Sequence, residues 1–160
     1  RKVYKEYKPI IKKNMKKIVF LFVSLFVMNL VVLADNDKPI QISQMPKKAQ
    51  SFVQKHFADQ SVAVAKMETD FLDKTFDVIF TNGDKVEFDK KGNWTKIDCE
   101  HTQVPAEVIP AAIQQYLSKN YPDAKVVKIE KTDRKGYDVD LSNGFDIEFD
   151  KHMNVREIDR

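Results

Sequence analysis

The sequence predicts an α+β fold: a helix followed by a four-stranded antiparallel meander, occurring twice in tandem and forming a helix-flanked antiparallel sheet. Three observations predict it. Residues 74–98 reappear 61 positions later, with 12 identities in 25 positions. Asp77-Val78, Asn82-Gly83, Glu87-Phe88-Asp89-Lys90, Asn93 and Ile97-Asp98 return as Asp138-Val139, Asn143-Gly144, Glu148-Phe149-Asp150-Lys151, Asn154 and Ile158-Asp159. An internal repeat of this kind implies one module used twice. Each copy opens with a proline and an apolar stripe at helical spacing. Each continues into two segments of strict apolar–polar alternation around an Asn-Gly pair.

The elements follow in chain order. Residues 1–34 are set aside as an upstream segment and signal peptide. Met15-Lys16-Lys17 is a charged start, and Ile18 to Leu33 is a 16-residue stretch with only Ser24 and Asn29 polar. Val32-Leu33-Ala34 places small residues where cleavage after Ala34 requires them. The run is shorter than the roughly 20 residues of a spanning helix. Export to the periplasm or outside the cell is the expectation, with no membrane attachment after cleavage. Removing this segment takes away 8 basic residues and 1 acidic residue. The remaining 126 residues carry 19 basic and 23 acidic side chains, although the whole chain is +3. A net-acidic exported domain is a poor nucleic-acid ligand. Residues 35–160 are read as one domain of two repeats, about 42–99 and 106–160. The single Cys99 has no intrachain partner and is read as buried.

After Pro46 come Ala49, Phe52, Val53 and Phe57; after Pro110 come Ile113, Tyr116, Leu117 and Tyr121. Both sets describe one apolar face of a helix of about three turns. Proline in the first turn loses an N–H that would be unpaired anyway. A first strand is marked at Val62 to Met67 and at Val126 to Glu130. The alternating strands hold Phe76, Val78, Phe80 and Val86, Phe88, then Tyr137, Val139, Leu141 and Phe145, Ile147, Phe149. Short fourth strands run near Trp94 to Cys99 and Val155 to Asp159. An extra length at Asp70-Phe71-Leu72-Asp73 gives the first copy a longer hairpin.

Parity decides the turn. A two-residue Asn-Gly loop would pair Val78 with Glu87. A three-residue Thr81-Asn82-Gly83 loop pairs Val78 with Val86 and Phe76 with Phe88, keeping apolar residues on one face. A type I turn with a G1 bulge and left-handed Gly83 and Gly144 is predicted.

The same register places Asp77 opposite Glu87, Asp138 opposite Glu148, and Asp140 opposite Asp146. Like charges directly opposite are unfavourable by a few tenths to about 1 kcal/mol. Lysines on neighbouring strands (Lys66, Lys96, Lys128), salt screening, Ca²⁺ with its six to eight oxygen ligands, or a basic protein partner would each relieve them. The sequence leaves these four open. Candidate binding residues are Asp77, Glu87, Asp89, Trp94, Asp138, Asp140, Asp146, Glu148 and Asp150. If Trp94 points outward, it lies beside Asp89 and makes a binding hot spot; if inward, it packs on Phe88.

Catalytic patterns are poor. His56, His101 and His152 are the three histidines, and Cys99-x-His101 is half a zinc site. No nucleophile elbow, metalloprotease helix or phosphate loop occurs. No enzyme and no cofactor are expected; Ca²⁺ is the one ion the paired carboxylates suggest.

Pro46, Phe57, Phe76, Gly83, Glu87-Phe88-Asp89 and Gly92-Asn93-Trp94, with their second-copy equivalents, resemble the PepSY-like, β-lactamase-inhibitor-like domains. The resemblance covers about residues 42–160. It implies an exported bacterial envelope protein of two tandem units. The second copy departs from it, with Met153 for Gly92 and Val155 for Trp94. The reading is a non-catalytic periplasmic or secreted binding module that regulates an envelope enzyme such as a protease. The alternative is a calcium-responsive envelope protein.

Overall fold

The computed structural model describes residues 37–70 and 73–160. The signal-peptide reading and the Phe71-Leu72 hairpin tip lie outside the described residues. The described chain falls in one compact unit, Asn36–Arg160.

Nine strands form a single antiparallel sheet in which spatial order equals chain order. They are β1 (Lys38–Ile40), β2 (Val62–Asp70), β3 (Asp73–Phe80), β4 (Lys85–Phe88), β5 (Trp94–Asp98), β6 (Val126–Lys131), β7 (Tyr137–Leu141), β8 (Asp146–Phe149) and β9 (Val155–Asp159). Helix α1 (Lys47–His56) precedes β2, and helix α2 (Ala111–Asn120) precedes β6. The molecule is mostly β. Strand β1 is an addition to the expected elements: Lys38-Pro39-Ile40 is too short to show a period, and it pairs with Ala65 to Met67.

Both prolines sit one position earlier than expected, at the N-cap. There the extended ψ of proline turns the chain into the helix. Ala49 and Val53 of α1, and Ile113 and Leu117 of α2, are buried with the inward residues of the strands. Phe52 meets Phe88 edge-on at 5.7 Å, and Tyr116 meets Phe149 in the same way at 5.5 Å. Phe57 stacks on Phe80 at 4.9 Å. Val78, Val86, Ile97, Ile129, Val139 and Ile147 are fully enclosed. Burial of such side chains stabilises by about 1.5–3 kcal/mol each.

The register is the one that parity demands. Phe76 pairs with Phe88 and Val78 with Val86, as Tyr137 pairs with Phe149 and Val139 with Ile147. Gly83 has φ +94° and Gly144 φ +84°. The Gly83 N–H donates to Phe80 O at 3.0 Å, and the Phe80 N–H to Asp84 O at 2.9 Å. That is a three-residue loop with glycine in the left-handed region.

Of the two orientations left open for Trp94, the inward one is found. Alternation from Ile97 would send Trp94 outward. The β4–β5 pairing shifts between Glu87 and Phe88, so that Lys96 faces Glu87 but Trp94 faces Phe88. Thr95 is the extra, unpaired residue of a bulge. A bulge resets alternation, and Trp94 therefore turns to the helix-bearing face.

Candidate functional site

The helix-free face of the sheet carries two rows of side chains, fixed by the strand register. One runs Lys66, Asp77, Glu87, Lys96, Glu130, Asp138, Glu148, Glu157 from β2 to β9. The other runs Ile79, Lys85, Asp98, Lys128, Asp140, Asp146, Asp159 from β3 to β9. The first half of this face mixes the signs, with lysines beside the opposed acids Asp77 and Glu87. The second half ends in six consecutive-strand carboxylates on β7, β8 and β9.

In the first half the opposed acids are neutralised. Lys85 Nζ lies 2.9 Å from Asp77 Oδ2 and 2.8 Å from Glu87 Oε1. Burial alone would disfavour the Lys85 ammonium, but the hydrogen bonds to Glu87 and Asp77 outweigh it and hold its pKa above the ordinary value. Lys96 reaches Glu130 at 3.3 Å, and Lys66 reaches Asp37 at 3.1 Å. Interleaving by lysines thus operates here, and its central member, Lys85, sits on β4 itself.

The second half has the opposite arrangement at matching register. Lys66 faces Asp77, whereas Glu130 faces Asp138. Lys85 is replaced by Asp146, which faces Asp140 and Asp159. Lys96 faces Glu87, whereas Glu157 faces Glu148. Three lysine positions have become acids. Asp138, Asp146, Glu148, Glu157 and Asp159 line a hollow of about 160 Å³. Burial, with the charges of Glu148, Asp146 and Glu130, raises the Asp138 pKa. Burial, with the charge of Asp140, likewise raises that of Asp146. Partial relief comes from the rim. Lys128 reaches Asp140 at 2.8 Å, and Arg156, the bulge residue of β9, reaches Glu148. Among the described residues, no three His, Cys, Asp or Glu converge closely enough to hold a metal ion as they stand.

The remaining sequence candidates separate from this corner. Asp89 and Asp150 close the β4–β5 and β8–β9 turns. Asp89 accepts from the Lys91 and Asn93 N–H groups, both at 2.8 Å, and from Asn93 Nδ2 at 2.7 Å. Burial opposes the Asp89 charge, but these hydrogen bonds prevail and lower its pKa. Asp150 accepts from the His152 and Asn154 N–H groups at 2.8 and 2.9 Å, and the bond from Asn154 chiefly lowers its pKa. Trp94 is half-buried against the core, 6.2 Å from the Tyr137 ring. Lys131 Nζ lies 3.7 Å over the indole and donates to Trp94 O at 2.9 Å. The outward reading of Trp94, an exposed hot spot beside Asp89, is therefore set aside, and the inward reading, opposite Phe88, holds. Sequence reasoning missed Glu130, Glu157 and Asp159 of the corner. Carrying the pairing one strand further on each side would have found them.

A second polar cluster lies at the end of the first half. Asp84 is fully buried. Its Oδ2 accepts from Gln60 Nε2 at 2.9 Å, Asn82 Nδ2 at 2.9 Å and Thr102 Oγ1 at 2.8 Å. Its Oδ1 has no hydrogen-bond partner. Burial, reinforced by the Asp84 charge, pushes the neighbouring Cys99 thiol up to about 12. The matching residue of the second half is Phe145, which packs 5.3 Å from Tyr121. Among the described residues the half zinc motif gains no further ligand, and His101 is exposed, beside Gly83.

Comparison with known proteins agrees with this fold and its compartment. Residues 74–157 match the family model described as "Putative beta-lactamase-inhibitor-like, PepSY-like". A crystal structure from Bacteroides thetaiotaomicron, described as a "putative calcium-regulated periplasmic protein", is similar at 58% identity and TM-score 0.77, over 80% of this chain and 100% of that one. A periplasmic protein from Bacteroides vulgatus is similar at 57% identity and TM-score 0.76, with the same coverage. Another from that organism is similar at 36% identity and TM-score 0.72, over 78% of this chain and 99% of that one. The search of curated proteins found no match. Among the described residues no helix is long and apolar enough to cross a membrane. None of these descriptions indicates a catalyst. The chain belongs to the PepSY-like, beta-lactamase-inhibitor-like family, and it is a periplasmic protein.

Proposed function

We propose that this protein is a non-catalytic binding module: a duplicated unit whose second copy has become a receptor for a basic protein partner. The observation that carries the reading is the reversal of charge at matching register, from Lys66, Lys85 and Lys96 to Glu130, Asp146 and Glu157. Folding alone favours the first arrangement, because unrelieved like charges across a ladder are destabilising. Burial, together with the neighbouring acids, raises the pKa values of Asp138 and Asp146. A surface kept in this state against its own stability is suited to a cationic ligand. Complementary charge also steers encounter. The family's inhibitor-like description supports regulation of an envelope enzyme by such contact.

The test is a comparison of captured partners from periplasmic extract. Wild-type protein and the triple variant Glu130→Lys/Asp146→Lys/Glu157→Lys are used as baits. A partner held by wild type and lost by the variant is the expected result. Identical capture by both would remove the reading.

Calcium is the second reading. It is favoured by the five-carboxylate hollow and by the description of the 58%-identical Bacteroides protein as calcium-regulated. Ca²⁺ would draw those carboxylates together and relieve the same repulsion. Binding to the native state stabilises it by RT ln(1 + c/Kd) at free ligand concentration c, so the melting temperature rises with ligand concentration. A melting temperature unchanged by millimolar Ca²⁺ would eliminate this reading and leave the first intact.

A further inference from the structure

Among the described residues β9 is an outer strand of the sheet, and β5 occupies the matching position in the first half. Strand β5 is covered on its outer edge by β6, with Lys96 facing Glu130, Ile97 facing Ile129 and Asp98 facing Lys128. The Cys99 N–H donates to Val127 O at 2.7 Å. Hydrogen-bonded pairs alternate along an antiparallel ladder, so the backbone groups of Ile97 also face β6. Strand β9 repeats this edge as Glu157, Ile158, Asp159 and Arg160, and among the described residues no strand pairs beyond it. The consequence shows in burial. Ile97 is 0% exposed, whereas Ile158, in the matching position, is 43% exposed. Ile158 and Arg160 are left with their N–H and C=O groups directed outward.

We infer that β9 takes up an extended segment of a partner protein as a tenth strand, with a basic–apolar–basic pattern. This deepens the proposed binding function and rests on it. The pattern follows from the β5–β6 pairing by charge complementarity. The residue facing Asp159 is Lys or Arg, as Lys128 faces Asp98. The residue facing Ile158 is apolar, as Ile129 faces Ile97. The residue facing Glu157 is Lys or Arg, the inverse of Glu130 facing Lys96, because the sign at this position is reversed. Glu148 and Asp146 stand immediately behind and extend the attraction inward. Main-chain hydrogen bonds would supply affinity, and the alternating side chains specificity, as in other strand-addition complexes. A second copy of this chain does not fit. Antiparallel pairing of two β9 strands about Ile158 would set Glu157 against Asp159. The far edge of the sheet is closed to the same use: β1 is three residues long and carries Pro39, which has no N–H to give.

The probe is a labelled synthetic peptide copying residues 125–132 with Glu130→Lys, titrated into the protein by fluorescence anisotropy. A second peptide is N-methylated at the positions of Val127 and Ile129, which removes the edge-facing donors and keeps every charge. The expected result is binding of the first peptide and at least tenfold weaker binding of the second. Glu157→Lys/Asp159→Lys protein should lose the first peptide at least tenfold. Equal binding of both peptides would overturn strand addition while sustaining the acidic surface. Undiminished binding to the doubly substituted protein would overturn the acidic surface itself. Binding of neither peptide would overturn this inference and show an edge that its charges merely protect.

Discussion

Lys85 and Asp146 occupy matching positions in the two halves of the sheet, and at that point the charge is reversed. Lys85 bridges Asp77 and Glu87 at 2.9 and 2.8 Å, while Asp146 adds a carboxylate beside Asp140 and Asp159. Asp146→Lys is therefore expected to stabilise the protein by about 0.5–1 kcal/mol at neutral pH. The sign of its pH dependence is fixed. Asp138 and Asp146 have raised pKa values in the fold, so their contribution is fully present below the unfolded carboxyl pKa and lost as pH rises through the raised values. The gain from Asp146→Lys should appear over that same rise and be absent in acid. Urea unfolding at pH 3 and pH 7 measures it. Lys85→Met should destabilise by about 1 kcal/mol.

Asp84 is a different kind of acid. It gathers donors from Gln60, Asn82 and Thr102, tying the α1–β2 connection, the β3–β4 turn and the segment after β5. Removing one member of a buried charged network strands the others. Asp84→Ala should cost about 3 kcal/mol in denaturant unfolding. An effect under about 0.5 kcal/mol would contradict this account.

Cys99 shares that enclosure and is fully buried. Its thiol is held up to about 12, so the reactive thiolate is scarce at neutral pH. Labelling with a thiol reagent should be no faster than unfolding, and Asp84→Ala should accelerate it. Immediate labelling of the native protein would contradict the burial.

Gly92 meets the start of α1 more closely than any side chain permits. A Cβ there would stand 2.8 Å from Pro46 Cβ and 2.9 Å from the Ala49 nitrogen, at φ +78°. Gly92→Ala should destabilise by about 2 kcal/mol. The matching Met153 holds φ +64° without glycine, so the two halves tolerate different residues at one turn. Thermal melts of Gly92→Ala and Met153→Ala compare them directly, with the larger loss expected at Gly92.

Side-chain period two and the Asn-Gly positions made the register legible, because only one loop length keeps Val78 and Val86 on one face. The acidic pairs followed from that register. Trp94 did not, since a bulge at Thr95 leaves no mark in the pattern beyond one extra residue. Lys85 escaped because relief was sought on other strands, while the lysine two residues along the same strand reaches both acids. Asp84 follows a glycine turn, a position that reads as solvated. Its burial depends on Gln60 and Thr102, which come from distant parts of the chain. Strand β1 has too few residues for any periodicity, and only its pairing with β2 defines it.

The acidic corner spanning β6 to β9 is proposed as a surface for cationic partners. Titration of a lysine-rich peptide into wild-type protein and into Glu130→Lys/Asp146→Lys/Glu157→Lys, at low and at high salt, tests it most directly. Salt-sensitive binding to wild type, falling at least tenfold in the variant, is the expected result. Equal affinity for the two proteins would contradict it.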